Sequence, residues 1–184
     1  ALTRIGAPGL ARIRASGLRL GGVTGDYAPF ALERSGELAG ADVQLISAFA
    51  AQERLQVRFV RTSWPTLMQV YEAGRFDIAA GGISITPERA AIAAFSSPYH
   101  TGGKTPIVRC GEQTRFDTLE EINHPGTRVI PNPGGTNERF AREKLSRAEL
   151  RIFPDNRAVF DEIAARRADV MVTDDVEVGL QIRT

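Results

Sequence analysis

The sequence has few of the residues from which metal sites and disulfide frameworks are built. Among 184 residues there are one cysteine, Cys110, and two histidines, His100 and His124. The histidines lack the spacing of zinc ligands, so we expect no metal site and no cofactor. A lone cysteine is most often buried as a small apolar side chain. A buried thiol is therefore predicted at Cys110.

The sequence also lacks an excess of one charge and long apolar runs. It has 23 basic and 22 acidic residues, for a net charge of +1. Such a balance is not typical of a protein that binds nucleic acid through bulk charge. A membrane-spanning helix needs about 20 apolar residues, and no run approaches that length. Neither a nucleic-acid partner nor membrane insertion is expected. The G-x-S-x-G and phosphate-loop patterns are absent as well.

What the sequence does contain is an alternation of strand-like and helix-like segments. Such alternation predicts α/β architecture with a mostly parallel sheet, and ligands in such folds lie beyond the carboxyl ends of the strands. The glycines at 102 and 103 suggest a division into lobe 1, residues 1–104, and lobe 2, residues 105–184. The predicted strands are 18–24, 57–60, 76–80, 105–110, 128–130, 150–153 and 170–172, and the predicted helices are 41–55, 64–73, 87–94, 119–123, 136–148, 157–167 and 175 onward.

Two segments are suited to hold a small anion, residues 82–89 and residues 133–138. Each follows a predicted strand and opens a predicted helix, whose first N–H groups attract negative charge. Thr86 is a favourable N-cap and Pro87 a favourable first helical residue. Arg89 then falls in the first turn, where a cation opposes the helix dipole. Its presence there suggests a neighbouring anion.

Other polar and aromatic side chains gather at predicted strand ends, and the residues alone leave their roles open. Arg89 can grip a carboxylate through two N–H groups, but a solvated arginine fits the pattern equally well. Helix capping explains Thr136 and Asn137 as well as ligand binding does. The helix dipole alone can explain acids at a helix start. The candidates are Asp26, Tyr27, Trp64, Gly82, Ser84, Arg89, Lys104, Thr136, Asn137, Asp174, Asp175 and Glu177.

The chain resembles the periplasmic solute-binding proteins that bind polar amino acids. The matching motifs are residues 25–30, 40–43, 76–78, 84–89 and 95–99. The resemblance implies a two-lobed periplasmic-binding-protein fold of type II, with hinged α/β lobes, a ligand in the interlobe cleft and a periplasmic location.

The same resemblance implies roles for individual residues. The residue matching Arg89 holds the α-carboxylate of the ligand, assisted by those matching Ser84 and Thr136. The acid matching Asp174 takes the α-amino group. The rings matching Tyr27 and Trp64 enclose the ligand side chain, and the predicted binding set also includes Asp26 and Gly82.

Within this group the chain is most similar to a branch of secreted dehydratases that act on prephenate and arogenate. That similarity is carried by residues 62–68, 103–107, 132–138, 154–156 and 173–181. It implies that Glu177 is a general acid and that Lys104 and Asn137 position the substrate. The alternative is a non-catalytic receptor that delivers an amino acid to a membrane permease, and a sensory domain of the same fold is a third reading. The expected partner is a small dicarboxylate or amino acid, and a homo-oligomer is compatible with the sequence.

One departure from the family concerns the end of the chain. Members of the family normally continue and cross back into the first lobe, whereas this sequence stops at Thr184. We therefore expect a longer mature chain. Cys110 could then pair with a cysteine of the missing part in an oxidising periplasm.

Overall fold

The structure, a computed structural model, describes residues 2–4 and 10–183. The chain forms two compact units, Ala1–His100 and Thr101–Thr184. Lys104, which the sequence division placed at the end of the first lobe, opens a strand of the second unit because its main chain pairs with Asp174. In the described part of the chain, none of the helices is both long and apolar enough to span a membrane.

The first unit contains a five-stranded mixed sheet and a small antiparallel sheet. The larger sheet has the order β6-β2-β7-β1-β8, in which β2 is parallel to β6 and β7, and β1 is antiparallel to β7 and β8. The smaller sheet is a meander of β3, β4 and β5. The strands are β1 Leu2–Arg4, β2 Leu18–Val23, β3 Asp26–Tyr27, β4 Ala31–Arg34, β5 Glu37–Ala39, β6 Val57–Arg61, β7 Ile78–Ala79 and β8 Ala93–Phe95.

The described part of this unit also contains the helices α1 Leu10–Ser16, α2 Ala41–Gln52, α3 Leu67–Glu72 and α4 Pro87–Ala90. Helical spacing places Val43, Ile46 and Ala50 of α2 in one buried cluster with Val23 of the sheet. A second buried cluster joins α3 to the other strands and includes Leu67, Tyr71, Phe76, Ala79 and Ala93. These clusters fix the helices against the sheet.

The second unit is a four-stranded sheet with helices on both faces. Its order is β11-β10-β12-β9, with β10 parallel to β11 and β12, and β9 antiparallel to β12. Along β12, Val170 and Val172 pack in the cluster of α5 and α6, whereas Met171 packs in the cluster of α7. The elements are β9 Lys104–Val108, α5 Leu119–Ile122, β10 Arg128–Val129, α6 Thr136–Lys144, β11 Glu149–Leu150, α7 Val159–Ala164, β12 Val170–Asp174 and α8 Asp175–Gln181.

A buried ion cluster closes the end of this second sheet that lies away from the Lys104–Asp174 pair. Asp169, 6% exposed at its side chain, contacts Arg128 at 2.7 Å and Arg109 at 3.1 Å. The Arg128 guanidinium, followed by Arg109, holds the pKa of the Asp169 carboxyl well below its usual range despite burial. Arg109 also donates to the carbonyl oxygens of Ile163 and Ala168. The cluster therefore ties α7 to the sheet.

Two predictions about local structure are wrong. The helix expected over 87–94 ends at Ala90, and Ala93–Phe95 is a strand, because β1 supplies an antiparallel partner from far away in the sequence. The strand expected over 105–110 ends at Val108. Cys110 lies in the following turn and is exposed, so the predicted buried thiol is also wrong.

Candidate functional site

Three neighbouring strands of the first unit bring predicted site residues to one edge of the sheet. The parallel strands β6, β2 and β7 end just before Trp64, Asp26 and Gly82, respectively. The Trp64 indole Nε1 donates a hydrogen bond of 3.1 Å to Asp26 Oδ1. Strand order alone therefore joins side chains 38 residues apart in the sequence.

An aromatic wall lies on this edge. The Tyr27 ring, on a side chain that is almost fully buried, lies 5.9 Å from the Trp64 ring and 5.2 Å from the Phe30 ring, between ring centroids. Gly82 has a φ of +69° and packs beneath these rings, since a Cβ there would come within 2.4 Å of the Tyr27 ring. Only glycine fits both the backbone conformation and the space.

A buried carboxylate, which the sequence analysis did not select, fixes the main chain at Gly82. Asp42, 2% exposed in the first turn of α2, accepts hydrogen bonds on Oδ2 from the N–H groups of Gly81 and Gly82, at 2.7 and 2.8 Å. The Tyr99 hydroxyl donates to the same oxygen at 2.7 Å. Burial, and then the Asp42 carboxylate, raise the pKa of the Tyr99 phenol above its usual range. The phenol therefore remains a donor at neutral pH.

Arg89 belongs to a second group of predicted site residues in the first unit. Thr86 caps α4 by accepting from the Arg89 N–H at 3.3 Å, and Pro87 follows as the first helical residue, as predicted. The buried Arg89 side chain donates through Nη1 to the Ser84 carbonyl oxygen at 3.0 Å. Cap and carbonyl together fix the position and direction of the guanidinium.

In the second unit, β9 runs antiparallel to β12, and this direction brings Lys104 to the edge of the sheet at which β12 ends. β9 begins at Lys104, whose register partner is Asp174 at the carboxyl end of β12. Lys104 Nζ donates to Asp174 Oδ1 and to Thr136 Oγ1, each at 2.8 Å, and to Asn137 Oδ1. Three N–H donors of the ammonium thus have three acceptors.

The same contacts describe the second predicted anion-binding segment, where binding of an anion stays a prediction. α6 begins at Thr136, but the side-chain oxygens of Thr136 and Asn137 accept from a cation, Lys104. The Gly134 N–H donates to Glu138 Oε2 at 2.6 Å, and this bond contributes most to lowering the pKa of the Glu138 carboxyl. The Glu138 side chain therefore occupies one N–H group, that of Gly134, in the segment that was predicted to attract an external anion.

A buried polar network continues from Asn137 to Glu177. Asn137 Nδ2 donates to Asn132 Oδ1 and to Thr173 Oγ1, each at 3.0 Å. Thr173, fully buried, donates to Glu177 Oε2 at 2.5 Å. Asn156 Nδ2 lies 3.5 Å from the other oxygen, Oε1. Glu177 is only 3% exposed, so it is not a solvated acid at a helix start.

The structure therefore brings the predicted site residues together in three groups, and their roles in binding stay predictions. One group joins Asp26, Tyr27, Trp64 and Gly82, a second joins Ser84 and Arg89, and a third joins Lys104, Thr136, Asn137, Asp174 and Glu177. Residues 2–4 and 10–183 include no set of three His, Cys, Asp or Glu side chains that could hold a metal ion.

Sequence reasoning missed five residues that support these groups: Asp42, Tyr99, Asn132, Asn156 and Thr173. A signal in the sequence could have found Thr173. It lies four residues before Glu177, a spacing of about one helical turn, just ahead of the predicted last helix. Asn132 lies two residues after the predicted strand 128–130, close to the position at which polar site residues were sought.

Polar and aromatic side chains at the strand ends of two α/β units are the arrangement of a protein that binds small molecules. Residues 20–180 match the sequence profile of the bacterial extracellular solute-binding proteins, family 3. The chain belongs to this family, and with it the predicted fold class is confirmed.

Relatives within the family include enzymes and binding proteins. The chain is 47% identical to the cyclohexadienyl dehydratase of Pseudomonas aeruginosa over 175 residues, which are 95% of this chain and 65% of that protein. It therefore spans less than two thirds of that relative's length. It is 35% identical to an ancestral amino acid-binding protein, a precursor of cyclohexadienyl dehydratase, with a TM-score of 0.90 and coverage of 95% and 77%. An ancestral cyclohexadienyl dehydratase is 46% identical, with a TM-score of 0.54 and coverage of 97% and 75%.

Proposed function

We propose that the protein is a periplasmic dehydratase that converts prephenate to phenylpyruvate, arogenate to phenylalanine, or both. The observation that carries this proposal is the buried carboxyl of Glu177, reached from Lys104 through Asn137 and Thr173. Burial disfavours the charged form of a carboxyl and so suits a group that must deliver a proton. The dehydratase relative at 47% identity supports the same activity.

The proposed reaction needs one proton and no redox partner. Glu177 gives its proton to the ring hydroxyl of the substrate, and the carbon–oxygen bond breaks to release water. The bond between the ring and its carboxylate breaks at the same time and releases carbon dioxide, while its electron pair completes the aromatic ring. Glu177 is left as a carboxylate and regains a proton from water. A positioned acid of this kind contributes about 10² to 10⁴ in rate.

The other site residues bind and orient the substrate in this proposal. Arg89, held by Ser84 and by the helix cap, takes a carboxylate through its guanidinium. Tyr27 and Trp64 provide an apolar wall for the ring. Fixed positions for the reacting groups supply much of the remaining rate, because the substrate then binds in a reactive orientation.

One contact favours the dehydratase over an amino-acid receptor. In receptors of this family, the acid matching Asp174 is expected to take the α-amino group of the ligand. Here the Lys104 ammonium already lies 2.8 Å from Asp174 Oδ1 and occupies that partner. An amino acid must compete with Lys104, whereas a dicarboxylate without an amino group need not. The amino-acid receptor remains the second candidate.

The test is a turnover assay on the full-length protein. Prephenate is added and the absorbance of phenylpyruvate is followed, with Glu120→Gln as a control, since Glu120 is an exposed acid in the first turn of α5, outside the three groups of site residues. We expect turnover in the wild type and in the control. In parallel, titration calorimetry measures the binding of arginine and of glutamine to the same protein. Tight binding of either amino acid without turnover of prephenate or arogenate would favour the receptor instead.

A further inference from the structure

A series of hydrogen bonds leads from Lys104 through Asn137 and Thr173 to Glu177. The donor and acceptor groups of these side chains decide which atom donates at each step. An ammonium group only donates, so the atom of Asn137 that faces Lys104 is the carbonyl oxygen. The Asn137 amide nitrogen must then point the other way. Its two N–H groups donate to Asn132 Oδ1 and Thr173 Oγ1, each at 3.0 Å. The lysine thereby fixes the orientation of the amide.

The orientation of the Asn137 amide in turn decides how the Thr173 hydroxyl bonds. A hydroxyl has one hydrogen, and Thr173 Oγ1 accepts from Asn137, so its own hydrogen points at Glu177 Oε2, 2.5 Å away. The two oxygens of Glu177 are therefore different. Oε2 accepts the short bond of 2.5 Å from Thr173, whereas Oε1 accepts a much longer bond of 3.5 Å from Asn156 Nδ2.

We propose that Thr173 is a positioning residue that keeps the acid proton of Glu177 on Oε1 and stabilises the carboxylate formed when that proton leaves. This inference rests on the proposed dehydratase function. As Oε1 loses its proton, negative charge develops on both oxygens, and the Thr173 hydroxyl already donates to Oε2. Such a preorganised donor acts on charge that develops during the reaction.

Three elements that carry or adjoin the network of Glu177 contribute charged side chains. β9 contributes Lys104, which acts through Asn137. β12 ends at Asp174, which the same lysine neutralises at 2.8 Å. α8 contributes Asp175, exposed in its first turn. Thr173 is a neutral group that contacts the Glu177 carboxyl directly, so removing its hydroxyl deletes the hydrogen bonds to Glu177 and from Asn137 without adding or deleting a charge.

The first measurement compares Thr173→Val, which removes the hydroxyl, with Thr173→Ser, which keeps it. We expect Thr173→Val to lower kcat by about 10-fold to 100-fold, the effect of one hydrogen bond to a charged group, with KM nearly unchanged. Thr173→Ser restores most of the rate. Thr127→Val makes the same replacement at another buried threonine of the second unit, before β10, and is expected to leave kcat unchanged.

The dependence of kcat on pH is a second measurement. A general loss of structure would lower kcat without shifting the pH at which its alkaline limb falls. A donor to the ionised form favours that form, so its removal favours the protonated acid. The alkaline limb of kcat, along which Glu177 loses its proton, should therefore move to higher pH in Thr173→Val. An unmoved limb, or a kcat that Thr173→Ser does not restore, overturns the positioning role.

Infrared spectroscopy tests the proton itself without turnover. The carboxylic acid band of Glu177 is identified as the band that Glu177→Gln removes. Because its carbonyl oxygen Oε2 accepts from Thr173, the band should shift to higher wavenumber in Thr173→Val and not in Thr173→Ser. A shift in a protein that turns over neither prephenate nor arogenate keeps the positioning role and rejects the dehydratase. An unmoved or missing band in an active enzyme rejects the positioning role alone.

Discussion

The two units carry their predicted site residues at comparable sheet edges but hold them by different means. In the first unit, main-chain groups and ring packing position Arg89 and Tyr27, beside the single side-chain bond from Trp64 to Asp26. In the second unit, side chains hold one another in a series that ends at the buried Glu177. The first arrangement suits binding of a ligand, whereas the second suits control of a proton.

This difference between the units predicts whether a substitution affects ligand binding or the chemical step. A change in the first unit should weaken ligand binding and leave the chemical step in place, since the contacts described for its site side chains lie within that unit. A change in the second unit should reach Glu177 through the side chains between them. The following four predictions test that separation, from the largest expected effect to the smallest.

The sharpest comparison sets Glu177→Gln against Arg89→Gln. Glu177→Gln should lower kcat by about 10² to 10⁴ because it removes the proposed general acid, while KM changes little. Arg89→Gln should instead raise KM, since a charge-assisted bond to a carboxylate is lost. Steady-state kinetics on prephenate checks both. An equal loss of kcat in the two variants would show that the units do not divide binding from chemistry.

The second prediction concerns the ion cluster of the second unit. Breaking a buried ion pair costs about 3–5 kcal/mol, so Asp169→Asn should lower the free energy of unfolding of the second unit by this order. Because the folded-state pKa of Asp169 is lowered, its stabilisation is complete above the ordinary aspartate pKa of about 3.9 and is lost as pH falls below it.

Urea unfolding at pH 7 and pH 3 measures this effect. The free energy of unfolding should differ less between the two pH values in Asp169→Asn than in the wild type. Far-UV circular dichroism follows the whole protein. Trp64 fluorescence reports on the first unit, since Trp64 is the only tryptophan of this chain. A Trp64 transition that moves as far as the circular dichroism signal would contradict an effect confined to the second unit.

The third prediction concerns the carboxylate that supports Gly82. Asp42→Asn should destabilise the first unit by about 2 kcal/mol, because three donors lose a charged acceptor oxygen. It should also raise KM for the substrate without changing kcat. Tyr99→Phe removes one of the three donors and should have a smaller effect of the same kind. Denaturation followed at Trp64 and steady-state kinetics check these results, and a large fall in kcat for Asp42→Asn would contradict them.

The smallest effect comes from two helix caps of the same chemistry. Thr86 caps the helix that carries Arg89, and Thr118 caps α5 in the second unit. Loss of a threonine cap costs about 1 kcal/mol, so Thr86→Ala and Thr118→Ala should destabilise their units similarly. Only Thr86→Ala should also weaken substrate binding, as measured by KM. Equal KM values in the two variants would mean that the cap does not position Arg89.

Periodicity and helix signals in the sequence predicted most of the fold. The strand that begins at Leu18 and the helix that begins at Ala41 form where expected, because apolar spacing and local glycines encode them. The strand Ala93–Phe95 was missed because its partner, Leu2–Arg4, lies about 90 residues earlier in the chain. Pairing between distant segments leaves no local pattern to read.

The candidate site shows the same division between local and distant information. Thr86 and Pro87 could be assigned from neighbouring residues alone. Asp42 could not, since its partners Gly81 and Gly82 are about 40 residues away. The position of Lys104 depends on β9 running antiparallel to β12, a direction that the alternation of strands and helices does not reveal.

The Lys104–Asp174 pair has a consequence for competition by free amino acids. Lys104 is covalently part of the chain, so its ammonium acts on Asp174 as a tethered group. A tethered partner acts at an effective concentration on the order of millimolar or more. A free amino acid that offers the same ammonium has to compete with that effective concentration. In the proposed dehydratase, the tethered Lys104 is therefore expected to weaken inhibition by free amino acids.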